Sequence, residues 1–554
     1  MSEEGAQLAR EHEALWQKQA NFRSLWNVSA QYIMPAWDNF IGEYAQGVNR
    51  NTRVFDSTAI TANERFAAAM EAMLTPRSGL WHKLSTGDPE LDESPAIARW
   101  LDQCTKIMFA CRYHPEANFA SQTDECYMSL GAFGNDALFV DEVPGRNLRY
   151  RALPLSEICW APNHCGVIDR VDRKFRYTAK QAIDHWGGVE HVPAPIARAF
   201  ASGDPYQEFE FLHVTKTNPE HEPGAMGPRG MRFECWYVYL GDKSVLERAG
   251  YRSWPIGIGR YRVAPREHYG RGPGQSALAD IRTANELVKT VLRAGQKALD
   301  PPVLLAEDSV ISPFNQRAGA ANYGMVSQDG KPLAIAFESK GRFDVGKEIQ
   351  GDTRATIRDT FLNTLFQILV DNPNMTATEA LLRAQEKGEL IAPAMGRQQS
   401  EFLGPIVHRE FQLLMDAGQL PPVPDPLKRS GRGLCVIYTS PLARAMRAEE
   451  GTAIMNTVAD LAQMANLDKT VLFTLDFHDA AREMANIRGC PAKLLRSEEQ
   501  VQDLLEQAAQ QQQQSAAAAQ APQVAAGVQK LASAAQLASQ AGGSPGAPSV
   551  PNAA

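Results

Sequence analysis

The residues that could carry chemistry are scattered along the chain, and their spacing decides which reactions are open to them. Two glycine-rich stretches, GRGPGQSAL (270–278) and PIGIGRYRV (255–263), have the composition of a phosphate cradle. The first lacks a lysine to reach the β- and γ-phosphates, and no G-x-x-x-x-G-K followed by Ser or Thr occurs anywhere. The second closes no βαβ unit and has no downstream acidic partner for a ribose, so it reads as a glycine-rich turn. H-E-x-x-H and G-x-S-x-G are both absent, which removes support for zinc proteolysis and for the common serine hydrolase turn. The histidines stand singly; His82, His114, His164, His185, His213 and His268 sit near strand or turn positions, where a hydrogen-bonded structural role is expected. Cys104 and Cys111 lie seven apart on one expected helix face, Cys159 and Cys165 lie in an expected turn, and both pairs read as buried apolar side chains. No C-x-x-C pair occurs among the eight cysteines and none stands near a His pair, so no metal and no cofactor is expected. Asp124-Glu125 and Asp141-Glu142 are adjacent along the chain, but acid–base work needs carboxylates placed across a cleft.

Composition narrows the field further. Among 554 residues, 56 Lys and Arg stand against 64 Asp and Glu, a net charge of −8, which is not the footprint of a protein that grips nucleic acid over a basic face. Hydrophobic residues at 44% and charged residues at 22% describe globular material, enough for several structural units. The opening MSEEGAQLAREHEALWQKQ is acidic and helical in pattern, where a secretion signal needs a basic start and an apolar block. Synthesis in the cytoplasm is therefore expected. The strongest apolar run, Thr360 to Val370, is interrupted by Asn363, Thr364 and Gln367 and is too short for a membrane span.

The elements that must position these residues can be read from periodicity. Leu8, Leu15, Phe22, Leu25, Trp26 and Ile33 recur at helical spacing and predict one helix from about 6 to 35, stopped by Pro35. Further helices are expected at 56–76, 95–109 and 121–130. ALFVDEV, LRYRALP, EICWAP, VIDRVDRKFRY, EFEFLHVTKT and RFECWYVYL then alternate apolar and polar side chains, predicting an antiparallel sheet region. A short helix from Thr178 to Trp186 interrupts it. A helix of about 24 residues follows from Ser276, ended by Asp300-Pro301-Pro302, and a second long one carries Val345, Ile349, Ile357, Phe361, Leu365 and Leu369 on one face. Between them, residues 301–340 are broken by Pro and Gly, with PVLLA and PLAIAF as short strands. A turn at 371–378 with a capping box from Thr376 to Glu379 leads into a third long helix, kinked near Pro393, Gly396, Gly404 and Pro405. The strand LCVIYTS and helices at about 441–465 and 468–487 follow. From 507 the chain is Ala, Gln, Ser, Gly and Pro with Lys530 as its single charge; it reads as a solvated tail, although Val524, Val528, Leu531, Ala535 and Ala538 follow a weak heptad.

This order of elements resembles the portal, or head-to-tail connector, proteins of short-tailed double-stranded DNA bacteriophages. The likeness is carried by RSLWNVSAQYIMP (23–35), NTRVFDSTAI (51–60), LTPRSGLWHKL (74–84), YGRGPGQSALADIRTANEL (269–287), TRATIRDTFLNTLFQIL (353–369), NMTATEALLRAQE (374–386), FLGPIVHREFQLLMDAGQLPPVP (402–424) and YTSPLARAMRAEE (438–450). The resemblance implies an α+β, mainly α, subunit that is not an enzyme. It assigns residues 1–270 to a wing, 271–300 and 341–370 to two stem helices, and 301–340 to a clip. It assigns 371–378 to a channel loop, 379–424 to a long kinked wing helix, 425–500 to a crown and 501–554 to a tail. It also implies a ring of twelve subunits at one capsid vertex of the virion, with the large terminase subunit, tail adaptor proteins, and major capsid and scaffolding proteins as partners.

Electrostatics adds an independent expectation. A conduit through which a duplex slides cannot offer many phosphate contacts, because each one adds affinity by counterion release. Twelve chains at −8 sum to about −96, a field that repels DNA except where a few side chains centre it. Lys340, Arg342, Lys347, Asn372, Asn374 and Thr376 are the expected DNA-facing residues, with solvated helix faces or turn-forming side chains as the plainer reading of each. Leu278, Ile281 and Val288, with Ile357, Phe361 and Leu365, are expected to pack between neighbouring subunits. A cytosolic hydrolase with a carboxylate or His cleft, and a phage structural protein without a pore, are the alternatives.

Overall fold

The computed structural model describes residues 2–42, 45, 47–77, 79–143, 148–305, 315, 317, 319–323, 325–336, 343–363, 395–431, 433–439, 448–465, 468–487, 500, 501, 504, 506 and 507. The chain divides into a unit of residues 1–489 and a second of 490–554. Of the second, the described residues 500, 501, 504, 506 and 507 are helical. The fold is α+β, as expected. No helix among the described residues is long and apolar enough to cross a membrane.

The chain up to Phe133 is mostly helical. Ser2 caps α1 (Glu3–Lys18) by accepting from the Gly5 amide, with Glu3 and Glu4 in the positive first turn. The single helix expected over 6–35 is instead two, because the chain breaks at Gln19 before α2 (Ala20–Ile33). Gln19 is fully buried and its amide donates to the Ile158 carbonyl at 2.9 Å, an anchor that a continuous polar helix face would not need. Helices α3 (Thr58–Leu74), α4 (Pro89–Glu93), α5 (Pro95–Arg112) and α6 (Phe119–Phe133) follow, with β1 (His82–Ser85) between α3 and α4.

The alternating segments form two antiparallel sheets rather than one. Strands β2 (Asn135–Glu142) and β3 (Leu148–Ala152) pair with β9 (Ile256–Arg260) in the order β3-β2-β9. The larger sheet runs β4 (Ile158–Pro162), β5 (Ile168–Thr178), β6 (Glu208–Thr217), β7 (Phe233–Tyr239), β8 (Ser244–Tyr251). Because side chains alternate along a strand, Phe211 of β6 joins α7 (Ala179–Trp186) and α8 (Ala194–Ala201) on one face. Its neighbours Leu212 and Val214 meet Leu8 of α1 on the other. Helix α7 forms where its signals place it, with a Thr178–Gln181 capping box and Gly187 at φ 76° as its left-handed cap.

PIGIGRYRV is a buried strand, not a glycine turn. Gly257 and Gly259 are there for close approach: a Cβ on Gly257 would stand 2.6 Å from the Phe402 carbonyl, and one on Gly259 would stand 2.1 Å from Asp136 Oδ1. The segment pressed against them is a π-helical stretch, Gln398–Leu403, running into the next helix, α12 (Gly404–Asp416). Gly404 and Pro405, two of the expected kink positions, follow directly on that stretch, and Pro405 has no N–H to give.

The short pair β10 (Arg262–Val263) and β11 (Gly270–Arg271) leads through α9 (Pro273–Ser276) to α10 (Leu278–Leu299). Strands β12 (Val303–Leu305) and β13 (Ala334–Ala336) pair beyond it, and α11 (Phe343–Thr360) returns beside α10. The two run antiparallel: Gly346 lies against Val291, while Ile281 and Ile357 meet in the main core. Strand β14 (Cys435–Tyr438) closes back onto β1, far earlier in sequence, with His82 opposite Tyr438. Helices at Ala448–Met464 and Phe477–Ile487 follow. The expected kink at Pro393, the turn 371–378 and the tail beyond 507 lie outside the described residues.

Candidate functional site

The α10–α11 pair is the candidate site, and a hydrogen-bonded clasp roots it at the start of α3. Asn285, 3% exposed on α10, accepts from the Phe55 and Asp56 amides at 2.6 and 3.2 Å and donates to the Arg53 carbonyl at 3.0 Å. Asp56 caps the start of α3 by accepting from the Thr58 amide at 2.8 Å, and its other oxygen takes Arg354 Nε of α11 at 2.8 Å. Burial opposes the charge on Asp56, but the Thr58 bonds and the Arg354 guanidinium outweigh it and hold the carboxyl below its ordinary range. Three of the segments that carry the family resemblance, at 51–60, 269–287 and 353–369, thus meet at a single point.

Below the clasp the pair is built into the subunit's own core. Ile281, Ile357 and Phe361 are 3%, 1% and 0% exposed, and Phe361 packs edge-on to Phe66 of α3 with ring centroids 6.4 Å apart. This corrects the expectation that all three would pack between subunits. Side chains already enclosed by α3 and its neighbours leave nothing for an adjoining copy to cover; one-sided periodicity reports a buried face, not whose atoms bury it. Leu278 and Val288 are half-buried, and Leu365 lies outside the described residues.

Beyond the clasp the pair changes character. Leu292, Leu299 and Ile349 are 53%, 90% and 46% exposed, and Leu304 and Ile335 on the short strands are similarly bare. Lys289, Arg293 and Lys297 follow one another at intervals of four on α10, and no acid stands between Glu286 and Asp300. Lys289 is engaged by Glu286 and stacks over Phe55, whereas Arg293 and Lys297 line an open cavity of about 560 Å³ with Gln296, Leu299 and Asp300. The spacing of this stripe is legible in the sequence, which carries no motif that would single it out. Lys347 is exposed on α11; Lys340, Arg342, Asn372, Asn374 and Thr376 lie outside the described residues.

The titratable groups singled out in the sequence serve the core. Burial first and the Arg112 cation second push His82 well below its ordinary range, so its neutral ring meets Arg112 at 2.8 Å. His213, pushed down to about 3 chiefly by burial, stacks on Tyr237. Cys104 and Cys159 are buried as expected, but Cys165 is exposed and Cys111 half-buried. The Asp136 carboxyl, fully buried beneath the π-helical stretch, faces the Gly259 amide and Gln398 without a well-formed hydrogen bond to either. Glu401 of that stretch is gripped by Arg260 of β9 through two bonds of 2.8 Å. Among the described residues one group has metal-ligand chemistry at ligand spacing: His12, Cys159 and Asp172.

A family model described as bacteriophage head to tail connecting protein matches residues 5–495. The chain is 28% identical over 500 residues to a probable portal protein of Bordetella phage BPP-1, covering 88% of each. It is 25% identical over 537 residues to a portal protein of Salmonella phage epsilon15, covering 95% of each. A chain from the virion of a native gene transfer agent particle aligns with a TM-score of 0.30 and 14% identity, over 70% of this chain and 94% of that one. With the family model spanning nearly all of the larger unit, the chain belongs to the bacteriophage head to tail connecting proteins.

Proposed function

We propose that the chain is the subunit of a portal, a ring at one capsid vertex through which double-stranded DNA is packaged and later released. The role is structural rather than catalytic. The observation that carries it is the contrast along α10 and α11: roots locked into the wing by Asn285, Asp56 and Arg354, and outer halves with Leu292, Leu299 and Ile349 uncovered. Exposed aliphatic side chains on a rigid helix pair are stabilised when a neighbour removes them from water, by roughly 25 cal/mol per Å². A closed ring does this for every copy at once.

Twelve copies is the proposed number. The net charge of −8 per chain suits a passage that must not hold DNA tightly. Lys347, with Lys340, Arg342, Asn372, Asn374 and Thr376, are the proposed DNA-facing residues. The short strands β12 and β13 belong to the proposed docking end for terminase and tail adaptors, with capsid and scaffolding proteins around the wing. Negative-stain microscopy of the purified chain tests the reading: end-on rings with a central hole are expected, and a population of lone globules would overturn it.

A further inference from the structure

One cluster of buried side chains is used neither by the core packing nor by the stem. His12 lies on α1, and Cys159 and Asp172 are direct cross-strand partners on β4 and β5. All three are buried, and their donor atoms lie within 4.8 Å of one another. His12 Nδ1 is 3.6 Å from Cys159 Sγ and 3.5 Å from Asp172 Oδ2.

These separations separate two readings. A hydrogen bond from imidazole to carboxylate normally spans about 2.7–3.2 Å, so 3.5 Å is long for one. Donors around a tetrahedral zinc ion, at about 2.0–2.3 Å from the metal, stand roughly 3.4–3.8 Å apart along the edges. Both distances fall in that interval, and 3.6 Å also lies within reach of a thiol–imidazole hydrogen bond, so the 3.5 Å imidazole–carboxylate separation is the one that favours an ion. The donor set, one imidazole, one thiol and one carboxylate, suits a borderline-soft transition metal and not magnesium or calcium.

The surroundings are those of a supported site. Arg170 donates to both oxygens of Asp172, at 2.9 and 3.1 Å, fixing the carboxylate's plane, and it also binds Glu11. Trp16, one turn after His12, packs against the imidazole with ring centroids 5.4 Å apart. Asp172 and Glu11 carry two negative charges with Arg170 between them, and Arg23 and Lys216 also stand within electrostatic reach. Burial and Asp172 push the Cys159 thiol up, while Arg170 and Arg23 act the other way, so the metal-free site holds a neutral thiol. Metal entry releases that proton to solvent as the metal–sulfur bond forms.

We propose that His12, Cys159 and Asp172 bind a divalent ion of zinc's class, with a water molecule as fourth ligand, and that the ion pins the first helix to the five-stranded sheet. It supplements the apolar anchor that Leu8 makes on the same sheet.

The test uses the full-length protein, stripped with a chelator, dialysed against zinc chloride and assayed by elemental analysis, with a parallel sample loaded with cobalt(II). About one zinc per subunit is expected, together with a thiolate-to-cobalt charge-transfer band and tetrahedral visible bands. Cys159→Ser and His12→Gln should each weaken zinc binding by about tenfold or more and abolish the zinc-induced rise in melting temperature, while Cys165→Ser leaves both unchanged. Wild-type protein that retains no zinc, or a cobalt spectrum without the thiolate band, overturns the site without recourse to any variant. A Cys159→Ser protein that binds zinc as tightly as wild type does the same.

Discussion

Arg112 and Glu410, 298 positions apart, form an ion pair in which neither side chain reaches solvent. Arg112 Nε donates to both carboxylate oxygens at 3.0 and 3.1 Å, and Tyr150 adds a hydroxyl bond of 2.7 Å to Glu410. The guanidinium lies 4.5 Å from the Trp81 ring and 4.7 Å from that of Phe109. This pair locks α5 to α12. Desolvating two charges is costly; the bonds from Tyr150 and His82 and the stacked rings offset it, although Arg112 Nη1 is left without a partner.

Removing one member of that pair should therefore cost more than removing both. Glu410→Leu or Arg112→Met alone is expected to lose about 3–5 kcal/mol, and the two together to lose much less than the sum. Urea melts of the four proteins in a double-mutant cycle read the difference; strictly additive losses would refute the account.

The Asp136 carboxyl is held well above its ordinary range, by burial first, with the Gly259 amide and Gln398 only partly opposing it. An acid raised in the folded state adds no penalty below the unfolded value near 4, and it costs stability progressively as pH rises toward the folded value. Asp136→Asn should thus melt close to wild type near pH 4 and progressively above it toward pH 8. A melting difference that does not grow with pH would count against this assignment.

The clasp at Asn285 predicts a local loosening. Asn285→Ala strands the buried Asp56 amide, at about 1–3 kcal/mol, and releases the Phe55 amide and the Arg53 carbonyl, which belong to exposed residues and cost less. Hydrogen exchange should accelerate at residues 51–60 and along α10 while the five-stranded sheet keeps its protection. Asp56 contributes in the opposite pH sense to Asp136: its lowered carboxyl stabilises above the unfolded value, and that contribution is lost as pH falls through the folded one.

Substitutions on α10 and α11 and at Phe361 should divide according to burial. Leu292→Asp and Ile349→Asp, at exposed positions, are expected to give folded subunits that do not close rings. Phe361→Ala should instead destabilise the subunit by about 3–5 kcal/mol, because its ring fills the core beside Phe66. Analytical ultracentrifugation with circular dichroism separates the outcomes; an intact ring for Leu292→Asp would be inconsistent with the proposed contact.

Much of the local structure was legible along the chain. The strands β2 to β7, the capped helix α7 and the two long helices around 300–345 stand where their periodicity places them, since a side chain's face and a capping bond depend on neighbours a few positions away. The break at Gln19 and the strand at Ile256–Arg260 were not legible, because each answers to a distant partner: the Ile158 carbonyl in one case, the π-helical stretch in the other. The family resemblance was likewise legible, through the order of segments that the clasp later brings together.

Partnership was decided in three dimensions. Ile281 and Phe361 carry the same one-sided stripe whether their cover comes from the same chain or the next, and only the packed core shows that it is the same chain. Cys159 and Asp172 acquire His12, and Arg112 acquires Glu410, across separations of well over a hundred residues. Periodicity records that a side chain is buried or paired. Which atoms complete it depends on loop closure and on the register of strands and helices far apart in the chain, and no local pattern encodes that.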